Sequence, residues 1–145
     1  MVKLAAAILI LLASSAAATA ADFEVDMVNM APDGTMMAFE PALTKVAVGD
    51  TVTFVAKDQG HDAQSIPGMI PDGATPINGQ ISQDVKVTFT VPGVYGIRCL
   101  PHFGLGMVAL VVVGNGTPPN LDAAKAVQLP PLAKTRLDPL WAQIH

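Results

Sequence analysis

The chain has 145 residues, 8 Lys and Arg against 12 Asp and Glu, and a formal charge of −4. That acidic balance excludes a nucleic-acid binder held by a basic surface, and the length allows one domain with its own core. It contains a single cysteine and three histidines.

The chain opens on Met1-Val2-Lys3, followed by an apolar run from Leu4 to Ala13 and a small-residue stretch ending in Ala18-Thr19-Ala20. The run is too short to span a bilayer, and its small-x-small end is what a signal peptidase accepts. Residues 1–20 are therefore expected to be a secretory signal, with an uncleaved anchor or a buried helix as the alternative. Without them the chain loses Lys3 and no acid, so residues 21–145 carry −5. They are expected to form one exported domain with no membrane insertion after cleavage.

From Asp22 the sequence alternates, with Phe23, Val25 and Met27 opposite Glu24 and Asp26, the two-residue period of a half-buried strand. Further short strands are predicted over Leu43 to Val48, Thr51 to Lys57, Asp84 to Val91 and Val94 to Cys99, each bounded by Gly, Pro or Asp. Met107 to Val113 is a continuous apolar run, as expected of a strand covered on both faces. Between Ser65 and Ser82, three prolines and three glycines mark a crossing between sheets. The pattern is all-β, and it predicts two packed antiparallel sheets with Greek-key connections. After Thr117-Pro118-Pro119 the character changes. Asn120 is placed to cap a short helix over Leu121 to Leu129, and a second helical segment over about Leu132 to Ile144 is interrupted by Pro139, where a kink or a late restart is expected. Its stripe of Leu137, Leu140, Trp141 and Ile144 predicts packing on the sandwich, with a partner-binding arm as the alternative.

The lone cysteine cannot belong to an internal disulfide framework. It lies in Cys99-Leu100-Pro101-His102-Phe103-Gly104-Leu105-Gly106-Met107, which supplies a thiolate, an imidazole and a thioether within nine residues. Such donors suit copper that cycles between Cu(I) and Cu(II). A blue-type centre needs a second imidazole. His145 ends the chain, whereas His61 follows a strand that a sandwich can bring beside the Cys99 loop, so His61 is assigned as the fourth ligand. A strand at each end pins the loop, Pro101 stiffens it, and Gly104 and Gly106 permit its turn. Taken singly each residue has a plain alternative: a buried inert thiol, a surface histidine, a core methionine. Structural zinc wants four Cys or His ligands and c-type haem a Cys-x-x-Cys-His, and neither is present. A thiol hydrolase using Cys99 and His102 lacks an orienting third group.

With these features the chain resembles the cupredoxins, most closely the pseudoazurins, over essentially all of residues 21–145. The resemblance rests on Phe23 to Asn29, Met37 to Pro41, Gly49 to Phe54, Gly60-His61, Met69 to Ala74, Pro92 to Tyr95, the ligand loop and the tail from Asn120. Plastocyanin-like proteins share the loop spacing, and the helical tail favours the pseudoazurins. The resemblance implies a Greek-key sandwich of about eight strands with two C-terminal helices, and one type 1 copper on His61, Cys99, His102 and Met107. It implies an electron carrier rather than an enzyme: a monomer in the periplasm passing single electrons between redox proteins. The partners it implies are a denitrification reductase such as copper nitrite reductase, another reductase, a cytochrome or a dehydrogenase. The functional alternative is a protein for copper storage or delivery. Leu100, Pro101, Phe103 and Leu105 around His102 are expected to form the docking patch, extended by Met30, Met36 and Met37. The chain departs from its relatives in having Met30 and Gln59 where lysines are common, and Asp62 where Asn usually follows the first ligand histidine. Asp62 is expected to tie the two ligand loops together as a hydrogen-bond acceptor.

Overall fold

The structure, a computed structural model, describes residues 19–145. The signal expected over residues 1–20 therefore lies outside the described residues except for its last two. Eight strands form two sheets: β1 (Asp22–Met30), β2 (Met36–Glu40), β3 (Leu43–Val46), β4 (Thr51–Ala56), β5 (Gln64–Ser65), β6 (Val85–Thr88), β7 (Gly93–Arg98) and β8 (Val108–Val113). The first sheet has the order β2-β1-β4-β6 and the second β3-β8-β7-β5. Two helices follow, α1 (Leu121–Lys125) and α2 (Pro131–Trp141). Among the described residues no helix is long and apolar enough to cross a membrane.

The sheets are mixed rather than antiparallel. β1 runs parallel to β4 and β3 parallel to β8. Only a hairpin forces neighbours to oppose each other, and here the chain leaves the first sheet after β2, adds β3 to the second, and returns as β4 beside β1. β2 and the two-residue β5 escaped the sequence reading. Met-Met-Ala-Phe-Glu has no β-branched residue, and β5 is too short to show a period. The crossing segment does pass from one sheet to the other, between β5 and β6.

The continuous apolar run over β8 has a simple cause. Ala109, Val111 and Val113 point into the core between the sheets with Val25, Met27, Phe39, Val52, Phe54 and Ile97. Val108, Leu110 and Val112 face the other way, into a second core closed by Ala133 and Leu137 of α2 and Leu121 and Ala124 of α1. All six residues of the strand are buried, so the tail packs on the sandwich as its apolar stripe predicts.

Three details of the tail differ from expectation. α1 stops at Lys125 rather than Leu129. Asn120 occupies the cap position, but its side chain makes no cap bond. Instead its Oδ1 accepts from Val94 N–H and its Nδ2 donates to Val94 O, both at 2.8 Å. β5 pairs only with Ile97 and Arg98, so at Val94 the side of β7 away from β8 has no strand neighbour, and the amide of Asn120 takes that place. α2 begins one residue early, runs through Pro139 and ends at Trp141. Pro139 has no N–H to donate to Thr135 O, so the helix runs through it with one bond missing in its last turn.

Candidate metal centre

The site forms at the end of the sandwich where β1, β4 and β7 finish and β2 and β8 begin. Cys99 directly follows β7 and Met107 directly precedes β8, so a ladder of hydrogen bonds ends on each side of the loop. Between them the chain makes 3₁₀ turns over Leu100–Leu105, broken at His102, and Gly106 closes them at φ 83. That left-handed backbone requires glycine, whereas Gly104 stays outside that region. The loop is knit through its own backbone: Cys99 N–H donates to Met107 O (3.0 Å), Met107 N–H to His102 O (3.1 Å) and His102 N–H to Cys99 O (3.2 Å). The order Cys-x-x-His-x-x-x-x-Met thus becomes one compact unit.

His61 comes from the loop after β4 and is held from two sides. Gly60 N–H donates to Ser82 Oγ and Ser82 N–H to His61 O, which binds this loop to the crossing segment. On the other side Asn29, near the end of β1, accepts from His61 Nε2–H at 3.0 Å. This fixes the tautomer and leaves the Nδ1 lone pair facing the site, as an outer partner of a ligating histidine does. Nothing in the sequence singled out Asn29, because the two residues lie 32 apart and meet only through the β1–β4 pairing.

Three donor atoms converge. His61 Nδ1 and His102 Nδ1 are 3.1 Å apart, and Cys99 Sγ lies 3.8 Å from the first and 3.4 Å from the second. A trigonal ion about 2.0 Å from each nitrogen and about 2.3 Å from sulfur would separate the nitrogens by roughly 3.5 Å and hold sulfur roughly 3.7 Å from each. The observed triangle fits such an ion. His61, Cys99 and Met107 are fully buried, while His102 is half-exposed.

The electrostatics suit a cation. Burial, then the like charge of a protonated His102, pushes the His61 pKa down, so its imidazole stays neutral. Burial raises the Cys99 thiol, and the backbone N–H groups of Asp62 and His102 offset only part of that. A buried thiolate therefore needs a positive partner, which a bound metal supplies. Asp62, also buried, accepts from Leu100 N–H (2.6 Å) through Oδ1 and from Gln64 Nε2–H (3.0 Å) through Oδ2. It links the His61 loop directly to the Cys99 loop.

Around His102, Leu100, Pro101 and Leu105 are exposed, as are Met30 and Met36, which pair with each other across β1 and β2. Phe103 is half-buried, packs on the second core, and has the Arg98 guanidinium 5.4 Å from its ring centre. Met37 turns inward against the core between the sheets.

A family model for copper binding proteins of the plastocyanin/azurin family matches residues 25–114. Pseudoazurin from Methylorubrum extorquens is 46% identical over 141 residues, covering 97% of this chain and 94% of the relative. Pseudoazurin from Paracoccus pantotrophus is 43% identical over 143 residues, covering 99% and 97%. The crystal structure of pseudoazurin from Methylobacterium extorquens AM1 matches with a TM-score of 0.81 at 48% identity, covering 86% of this chain and 99% of that one. The chain belongs to the pseudoazurins, within the plastocyanin/azurin family of copper-binding proteins, and is a blue-copper electron carrier rather than an enzyme.

Proposed function

We propose that residues 1–20 are removed on export, that residues 21–145 act as a monomeric copper domain in the periplasm, and that His61, Cys99, His102 and Met107 hold the metal. The observation that carries the assignment of His61, Cys99 and His102 is the meeting of their donor atoms within 4.8 Å of one another, and Met107 joins them through its backbone bonds to Cys99 and His102. When bound, copper supplies a one-electron Cu(I)/Cu(II) couple.

The chain's own residues do the rest. Asn29 keeps His61 in the tautomer with Nδ1 free. The backbone bonds among Cys99, His102 and Met107 hold the donors at positions that change little whichever charge the site carries, which keeps the cost of rearrangement small. Burial of His61, Cys99 and Met107 excludes water. Half-exposed His102 leads from the buried donors to the surface, and Leu100, Pro101, Phe103 and Leu105 form the patch on which a partner docks. That partner is a periplasmic redox protein, with a denitrification reductase such as copper nitrite reductase as the acceptor to test first.

The test uses the full chain, recovered from the periplasm with its new N-terminus sequenced, loaded with Cu(II) beside Cys99→Ser. An intense thiolate-to-copper band in the parent and none in the variant supports the ligand assignment, and a colourless copper-loaded parent overturns it. Mixing the reduced protein with copper nitrite reductase in stopped flow tests the acceptor, and an absence of oxidation removes that partner alone.

A further inference from the structure

α2 reaches the loop through one side chain. Half-buried Arg136 donates three hydrogen bonds, all to backbone carbonyls: Nη1 to Met37 O (2.7 Å) and Gly106 O (2.9 Å), and Nη2 to Met36 O (2.8 Å). Among the described residues no carboxylate forms an ion pair with it. The carbonyls belong to two segments that flank the metal centre, the start of β2 and the residue directly before Met107.

Both segments have backbone that needs outside support. Gly106 lies so close under α2 that a Cβ there would sit 3.0 Å from Leu132 O and 3.1 Å from Arg136 Cδ and Nε. Met37 has φ 51, a left-handed conformation costly for a side chain, where the β1–β2 ladder skips from the Val28–Ala38 pair to the Met30–Met36 pair. Such conformations persist where the surroundings hold them. A guanidinium can do so because it presents several N–H donors in a fixed fork, whereas an ammonium is a single point on a flexible stem.

We propose that Arg136 is a positioning residue for the metal loop: by gripping the Gly106, Met36 and Met37 carbonyls together, it makes the C-terminal helix the wall against which the Cys99–Met107 loop is set. The proposal takes its functional meaning from the reading of that loop as the copper site, so one arm of its test uses metal-free protein.

Arg136→Lys keeps the charge and loses the fork, and Arg136→Gln loses both. Leu121→Ala, in the same core but on α1, controls for general destabilisation. In metal-free protein, amide exchange at Gly106 and Met107, whose N–H groups bond to Phe103 O and His102 O, is expected to accelerate by about tenfold or more in both Arg136 variants relative to β8 amides. Leu121→Ala should show no such excess. In copper-loaded protein both Arg136 variants are expected to change the relative intensities of the visible bands and the reduction potential, with Leu121→Ala like the parent. Parent-like exchange and spectra in both variants overturn the proposal. So does a potential that shifts in Arg136→Gln alone, since that marks Arg136 as a charge and nothing more. If the parent itself gives no coloured copper complex, the copper reading fails while the exchange arm still decides the positioning role.

Discussion

Two buried aspartates do the same job at opposite ends of the sandwich. At the metal end, Asp62 follows β4 and accepts a backbone N–H from Leu100, which follows β7 in the other sheet. At the far end, Asp50 precedes β4 and accepts backbone N–H groups from Ala47, which follows β3, and from Ala21, which precedes β1, both at 2.8 Å. Each carboxylate stitches loops that arise from different sheets. A buried acid satisfied in this way is structural by default, and only its neighbours can give it a second role. Asp62 shares its end with His61 and Cys99, whereas Asp50 has Phe89 and the Thr51–Thr88 hydroxyl pair beside it.

The strongest way to break this comparison is Asp50→Ala. It leaves two backbone N–H groups without an acceptor, and a loss of about 2–4 kcal/mol is expected in urea unfolding. The visible spectrum and reduction potential of the copper-loaded protein should not move; if they do, the two ends are coupled. Asp62→Asn should act the other way round. The amide oxygen can still accept from Leu100, and Gln64 can turn its own amide to match, so the stability loss is expected to stay below about 1 kcal/mol. Removing a negative charge beside the site favours Cu(I), and the reduction potential should rise on the order of tens of millivolts, against roughly 59 mV for a tenfold change with one electron. An unchanged or lower potential by voltammetry would make Asp62 a second Asp50.

The two ends also differ in how much of them the sequence reveals. Cys99, His102 and Met107 are legible because one loop carries them in order, and the flanking strands announce themselves by β-branched runs. His61 follows by elimination among three histidines. Asn29, Arg136 and the Asn120–Val94 pair stay hidden, since each acts on backbone or a ring 26 to 100 residues away and none sits in a local pattern. The parallel β1–β4 and β3–β8 pairs are hidden for a related reason. Periodicity reports which face of a strand is buried, not which way its neighbour runs.

Charge offers a finer comparison between the metal end and the remaining surface. Lys57 pairs with Glu24 and Lys134 with Asp138, Lys45 donates to Gln143 O, and Lys125 lies over Trp141. Arg98 stacks on Phe103 and Arg136 is bound to carbonyls. Among the described residues Lys86, on the edge strand β6, is the one lysine or arginine with no such partner, and it pairs in register with Thr53 of β4. The cations against the ligand loop are therefore two arginines held in place by a ring and by carbonyls, Arg98 at Phe103 and Arg136 at Gly106, rather than a fringe of free lysines. Electrostatically steered pairs gain about 10- to 1000-fold in association rate at low salt. Here the second-order rate with a redox partner is expected to change by less than about threefold between low and moderate salt. A steep fall with added salt would show that the docking face carries a field these residues do not provide.

The smallest expected effect belongs to the Asp50 end, where Tyr95, the only tyrosine in the chain, packs edge-on against Phe89 and donates its hydroxyl to Val91 O at 2.7 Å. Burial raises its pKa above the ordinary 10.0. The unfolded chain then releases the phenolic proton first, so the folded state binds more protons in the interval above pH 10. Stability from this group is complete below about pH 10 and falls as pH rises toward the folded value, with a slope of at most about 1.4 kcal/mol per pH unit. Phenolate absorbance should titrate later in folded than in unfolded protein, and Tyr95→Phe should lose less stability than the parent between pH 9 and 11. Parallel losses would mean that the phenol is not what the alkaline transition reads.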